Sequence, residues 1–180
     1  MNRRQRKRAP GRLVHAATWG GAHVVEALLR AGADPNAPDR EGTTALYRAA
    51  VAGDEAMVCV LLAAGADPDL ESAAESEGLP ICAAASWGYA GVVRELLAHG
   101  ADPNRREDRG KGMAPLDWAL RNGYEETADV LRAAGAVTTE WTAAGVGVET
   151  DAVACELTPE LIRSEATLAR RGKARRRWKS

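Results

Sequence analysis

Residues 24–36 read VVEALLRAGADPN, and this stretch decides the fold. It returns as MVCVLLAAGADPD at residues 57–69, as VVRELLAHGADPN at 92–104 and, eroded, as ADVLRAAGAV at 128–137. The marker glycines are Gly32, Gly65, Gly100 and Gly135, at spacings of 33, 35 and 35. A period in that range signals a stack of small units, none able to bury its apolar face alone. Within the first copy, Val24, Val25, Leu28 and Leu29 recur at i, i+1, i+4 and i+5, the stripe of an amphipathic helix. Gly32 is placed for the left-handed position that ends it. Asp34 and Asn36 can bond nearby backbone, and Pro35 forbids continuation of the helix.

A second, shorter apolar pattern precedes each copy. Leu13, Ala16 and Ala17 form it in the first unit, where Pro10-Gly11 is expected to break any earlier helix and Gly20-Gly21 to end this one. In the second unit a turn at residues 39–42 leads to Thr44, placed to cap a helix carrying Leu46, Ala49 and Ala50 up to Gly53. The third unit opens with Gly78-Leu79-Pro80-Ile81-Cys82, then Ala84-Ala85 and Gly88. The fourth opens with Gly112-Met113-Ala114-Pro115-Leu116-Asp117, then Ala119 and Gly123.

These units resemble ankyrin repeats. The family pattern opens on Gly-x-Thr-Pro-Leu-His, continues through paired alanines and a glycine between helices, and closes on Gly-Ala-Asp-x-Asn. The resemblance covers about residues 12–137 in four units, near 12–37, 38–70, 71–105 and 106–137. It implies an all-α, ankyrin-repeat solenoid of helix-turn-helix units with β-turn or hairpin-like loops, and protein binding as its work. The departures are specific. The His position holds Val14, Tyr47, Cys82 and Asp117, and only the second unit keeps the Thr. The longer spacings place two extra residues in the turns ESAAESE (71–77) and RREDRGK (105–111).

Beyond the repeat, residues 138–149 read as irregular, with Trp141 expected to fold back on the last unit. Thr158-Pro159-Glu160 is a helix start, and Leu161, Ile162, Glu165 and Leu168 continue it over about 159–171. This C-terminal helical extension, within 138–180, either covers the end of the stack or attaches loosely. The chain has no Phe and no apolar run near the roughly 20 residues of a membrane span. The N-terminal charge has no apolar segment behind it, so it does not read as a secretory signal. Cys59, Cys82 and Cys155 form no framework or zinc pattern and point to a reducing cytoplasm. Arg outnumbers Lys 20 to 4, a hint of a bacterial genome.

The net charge of −1 hides a polarity. Residues 1–12 carry six basic side chains and residues 170–180 carry seven, with no acidic one in either arm. Residues 13–169 hold 11 basic and 25 acidic side chains, a net of −14. An acidic body favours a partner protein with a basic surface. The alternative reading is nucleic-acid or ribosome association through the basic N-terminal arm (1–11) and the C-terminal tail. Its residues are Arg3, Arg4, Arg6, Lys7, Arg8, Arg175, Arg176 and Arg177, with Trp178 available to stack on a base.

For chemistry the sequence offers little. His15, His23 and His99 lack second ligands at a metal spacing, and no nucleophile elbow, Walker loop or dinucleotide fingerprint appears. The expectation is therefore no enzyme, catalytic residue, metal, cofactor, small-molecule substrate or membrane. The tryptophans say more. Trp19 and Trp87 share a register one residue before Gly20 and Gly88, a position that in ankyrin-like units looks onto the concave face. Trp118 takes a variable slot on the same helix, held by Arg48 and His15 in earlier units. Partly exposed Trp and Arg dominate interface energies. The candidate partner-binding set is Trp19, Arg48, Trp87, Trp118, Arg121 and Asn122 from that face. The projecting turns add Asp39, Arg40, Glu41, Arg105, Arg106, Glu107 and Asp108.

Overall fold

The computed structural model describes residues 9–73, 78–141 and 147–149. Among these, and apart from the single turn Glu107–Gly110, the helices fall into four pairs: α1 (Ala9–Trp19) with α2 (Ala22–Arg30), α3 (Ala45–Ala52) with α4 (Glu55–Ala63), α5 (Pro80–Ser86) with α6 (Ala90–Ala98), and α7 (Pro115–Arg121) with α8 (Glu125–Ala133). The pairs coincide with the four units. First helices α1, α3, α5 and α7 form one row, and second helices α2, α4, α6 and α8 form another. The expected all-α solenoid is the observed architecture.

Side-chain size explains the stacking. The first helices meet through alanines: Ala16, Ala17, Ala49, Ala50, Ala84, Ala85 and Ala119 are all buried. The second helices meet through larger groups, Val25, Met57, Val58, Leu61, Val92, Val93, Leu96 and Leu131. The first row therefore packs more closely than the second. Fully burying one such aliphatic side chain is worth about 1.5–3 kcal/mol, and Leu61, Leu96 and Leu131, at one register position of units two to four, are all fully buried. Unit one shows the converse. Val24 and Leu28 are half-exposed there, whereas their register mates Met57 and Val92, and Leu61, Leu96 and Leu131, are buried.

Each unit closes on the same turn. Gly32, Gly65, Gly100 and Gly135 adopt φ of 84–88°, a left-handed conformation that residues with a Cβ avoid. Asp34, Asp67 and Asp102 then accept the N–H two residues on, at 2.9, 3.0 and 2.9 Å. The residue that donates this N–H reaches into the next unit. Asn36 accepts from the Asp67 N–H at 2.7 Å and donates to the Gly65 carbonyl at 3.2 Å. Asn104 repeats both bonds, to the Val137 N–H at 2.8 Å and the Gly135 carbonyl at 3.1 Å. Asp69, in the same register, accepts from the Asp102 N–H at 3.1 Å, but an ionised carboxylate has no proton to donate to Gly100.

The extra residues enter at one place. Backbone bonds from Asp39 to Thr43, Ser72 to Gly78 and Glu107 to Met113 close the successive turns, so three intervening residues become five. At the base of each later turn a side chain reaches back to the preceding unit. Ser72 accepts from the Thr44 N–H at 3.0 Å, and its hydroxyl lies 3.1 Å from that of Thr44. Glu107 accepts from the Leu79 N–H. Thr44 caps α3 through the Tyr47 N–H, as expected, and Asp54 caps α4 through Met57. Units three and four have no capping side chain at this position and open on Pro80 and Pro115 instead, whose missing N–H costs nothing in a first turn.

Two expectations need correction. Pro10-Gly11 does not break a helix: α1 begins at Ala9 and runs through both, since Pro sits well in an opening turn. Residues 138–149 are not wholly irregular: β1 (Thr139–Trp141) pairs antiparallel with β2 (Gly147–Glu149), with Glu140 opposite Val148. Thr139, Trp141 and Val148 are strand-forming types. The expected packing of Trp141 and the helix over 159–171 lie outside the described residues and side chains.

Asp69 yields a prediction. Burial raises its carboxyl above the usual value, against the pull of the Asp102 N–H and Arg105. A raised acid favours the folded state when protonated, so that stabilisation is full below about pH 4 and is lost as pH rises through the folded value. Asp69→Asn supplies the missing bond to Gly100 at every pH. Urea unfolding at pH 7 should show a gain of about 0.5–1.5 kcal/mol, shrinking at pH 4. An unchanged or lowered midpoint at pH 7 would contradict the ladder.

Candidate protein-recognition face

The row of first helices, with the turns before them, presents the side chains that the structure leaves accessible. Trp19 at the end of α1 is 80% exposed and Trp87 at the end of α5 is 57% exposed. Indoles of that exposure leave most of their apolar surface open to a partner. Arg121, the last residue of α7, is exposed, with its guanidinium carbon 5.7 Å from the centre of the Trp118 ring. Arg40, Glu41, Arg105 and Asp108 project from the turns.

Other candidates are engaged within the chain. Trp118 is half-buried and donates its indole N–H to Glu107 at 2.9 Å. Glu107 is held between Trp118 and the Leu79 N–H, hard against Gly78. Burial and the nearby Glu71 charge raise its carboxyl above the usual range, opposed by those two donors. Asp39 spends one oxygen on the N–H groups of Glu41 and Thr43, at 2.9 and 3.0 Å. Arg106 donates to the Gly112 carbonyl at 2.9 Å, and Asn122 ties α7 to α5 through the Ser86 carbonyl at 2.8 Å. Arg48 is half-buried and has an internal partner. Asp39, Arg106, Glu107 and Asn122 therefore shape the face more than they offer it. Arg3, Arg4, Arg6, Lys7, Arg8, Arg175, Arg176, Arg177 and Trp178 lie outside the described residues.

The turn at Glu107–Gly110 is the most constrained part of this face. Asp108 and Arg109 take φ of 53° and 56°, left-handed values unusual for non-glycine residues. The Asp108 N–H donates to Glu71 at 2.6 Å, so the enlarged turns of units three and four brace one another.

Between α5 and α7 the face opens into a groove of about 440 Å³ lined by Ser86, Trp87, Trp118, Asn122 and Tyr124. Tyr124 was absent from the sequence-based candidates. Its ring lies so close to Gly88 that a Cβ there would overlap it. The signal was present in the sequence as an aromatic after the inter-helix glycine, in Gly88-Tyr89 and again in Gly123-Tyr124. Tyr89 lies on Gly53 in the same way.

The two described cysteines are poorly placed to act as nucleophiles. Cys59 donates to Glu95 at 3.1 Å, and that bond, with burial, raises its thiol above the usual value. Burial raises the Cys82 thiol well above it. Raised thiols are poor nucleophiles at neutral pH. Among the described residues no group of three or more His, Cys, Asp or Glu could hold a metal, and no helix is long and apolar enough to cross a membrane.

Comparison with known families agrees with this geometry. Residues 12–72 match the family profile described as "Ankyrin repeats (3 copies)", and residues 81–132 match "Ankyrin repeats (many copies)". The chain belongs to the ankyrin-repeat family. Ankyrin repeats are a generic protein–protein interaction module. The chain is 36% identical over 118 residues to human neurogenic locus notch homolog protein 2, covering 65% of this chain and 5% of that protein. It is 34% identical over 121 residues to zebrafish (Danio rerio) neurogenic locus notch homolog protein 1, covering 67% of this chain and again 5% of the relative. The chain thus spans about a twentieth of the length of these relatives.

The indoles should separate in their effects. Trp118→Phe removes one of the two donors to half-buried Glu107 and should cost about 1–3 kcal/mol. Trp87→Ala should stay within about 0.5 kcal/mol of wild type. Thermal or urea unfolding of both variants checks the contrast, and equal losses would contradict it.

Proposed function

We propose that this ankyrin-repeat chain is a non-enzymatic adaptor that binds another protein across its first-helix face and projecting turns. The observation that carries the reading is the pair Trp19 and Trp87: two large indoles in one register, exposed on a surface whose remaining aromatics and amides are fastened. Trp and Arg are the side chains that anchor interfaces when a partner removes them from water. Trp87 and Arg121 are the central anchors. Trp19 extends the contact, and Arg40, Glu41, Arg105 and Asp108 form a polar rim.

Residues 13–141 hold 10 basic and 20 acidic side chains, so the solenoid favours a partner with a basic surface and speeds its approach. Two unpaired thiols fit work in a reducing cytoplasm, and the preference for Arg over Lys fits a bacterial host.

The test is capture from the native host with wild-type protein and with the pair Trp87→Ala and Arg121→Ala. The face variant should recover less than about a tenth of the wild-type partner at unchanged helicity, consistent with the loss of two anchors. Exchanging Arg30, on α2 away from that face, for Ala should recover it fully. Full recovery by the face variant, with its helices intact, would remove the assignment.

A further inference from the structure

We infer that the groove between the third and fourth units seats a cationic side chain, Arg or Lys, of the bound partner. The inference rests on the protein-binding reading and names the chemistry recognised at one point of that face. It begins from an arrangement found at one junction only. Three positions surround each junction: the residue ending the first helix, the residue after the next unit's glycine, and the next unit's variable slot. Between units one and two these are Trp19, Asp54 and Arg48. Between units two and three they are Ala52, Tyr89 and Ala83. Between units three and four they are Trp87, Tyr124 and Trp118, and there the three aromatics line a groove.

Three of the polar groups around that groove are already engaged. The Asn122 amide donates to the Ser86 carbonyl, the Ser86 hydroxyl donates to the Ala83 carbonyl at 2.8 Å, and the Trp118 indole N–H donates to Glu107. What the groove offers is ring surface. Trp87 and Tyr124 remain 57% and 37% exposed, and the seating of Tyr124 on Gly88 fixes its ring beside them. An aromatic face attracts a cation within about 6 Å of its centre. The groove already shows this pairing once, in Arg121 over Trp118.

Charge selects the ligand sign. Glu125 and Glu126 follow Tyr124 directly, and Glu107 backs Trp118. Of the nearby cations, Arg94 is paired with Glu126 at 2.6 Å, Arg132 lies 3.8 Å from Glu125, and Arg121 lies on Trp118; the acidic excess comes from the solenoid as a whole and from Glu107. An incoming carboxylate meets acidic surroundings. An incoming ammonium or guanidinium meets open ring faces in an acidic field.

The experiment follows the indole N–H signals of the full chain by NMR while it is titrated with acetylated, amidated pentapeptides Gly-Gly-X-Gly-Gly, X being Arg, Lys, Leu or Glu. The Arg and Lys peptides should shift the Trp87 and Trp118 signals saturably and leave Trp19 in place. The Glu peptide should shift neither, and the Leu peptide should bind several-fold more weakly. Trp87→Leu keeps an apolar surface and removes one ring, and should weaken the Arg peptide about two- to fivefold; Trp19→Leu should not weaken it. A Leu peptide that binds as well as Arg, an absent shift at Trp87, or unchanged Arg binding by Trp87→Leu would each overturn the inference. If that happens while capture of the partner still depends on Trp87, the protein-binding reading stands and only the cationic ligand is lost.

Discussion

A unit of about 33 residues with a few aliphatic side chains cannot offset the entropy of ordering its own backbone. Everything in this chain depends on contact between neighbours. Leu61, Leu96 and Leu131 are sealed because a preceding unit lies over them, and half-exposed Leu28 shows what the same position becomes without one. The polar ladder follows the same rule. Asn36, Asp69 and Asn104 each belong to one unit and satisfy backbone in the next. Apolar contact supplies most of the stabilisation, and the ladder sets register, because an amide forced to span the wrong distance leaves two backbone groups without partners.

Rigid stacking also explains the division of labour on the first-helix face. Where a polar or aromatic group lies at a junction, the structure mostly uses it internally, as with Asn122 on Ser86 and Trp118 on Glu107. The groups left over stand at helix ends and turn tips, where no neighbour reaches. A surface of this kind presents a few large side chains in fixed positions, so little conformational entropy is lost when a partner covers them. The enlarged turns add to this. Left-handed Asp108 and Arg109 persist because Glu71 and Glu107 brace the segment from both sides.

Much of this was legible in the residues. Period, paired alanines, the left-handed glycines and the capping role of Thr44 are local signals, and each dictated its own structure. The doubly bonded reach of Asn36 and Asn104 was not legible, because it joins residues about 30 apart and needs the stack to exist first. Tyr124 was missed for a related reason: its value comes from Gly88, a residue of the previous unit. The variable slot of Trp118 suggests an exposed indole, but an extra-long turn brings Glu107 within reach of its N–H. Pro10 carries the local signal of a breaker, yet an opening turn of a helix accommodates it. Sequence position thus placed the described candidates on the first-helix row and its turns but could not say which side chains the neighbouring unit would take up.

The claim that neighbours hold one another is tested most directly by native-state hydrogen exchange on the full chain carrying Leu96→Ala. Leu96 is wholly buried at the junction of units two and three, and its truncation should cost about 2–5 kcal/mol. If stability resides in the junctions, protection should fall together in α4, α6 and α8, on both sides of the altered residue. A fall confined to α5 and α6, with units two and four exchanging as in wild type, would show that the units stand alone and would contradict the account.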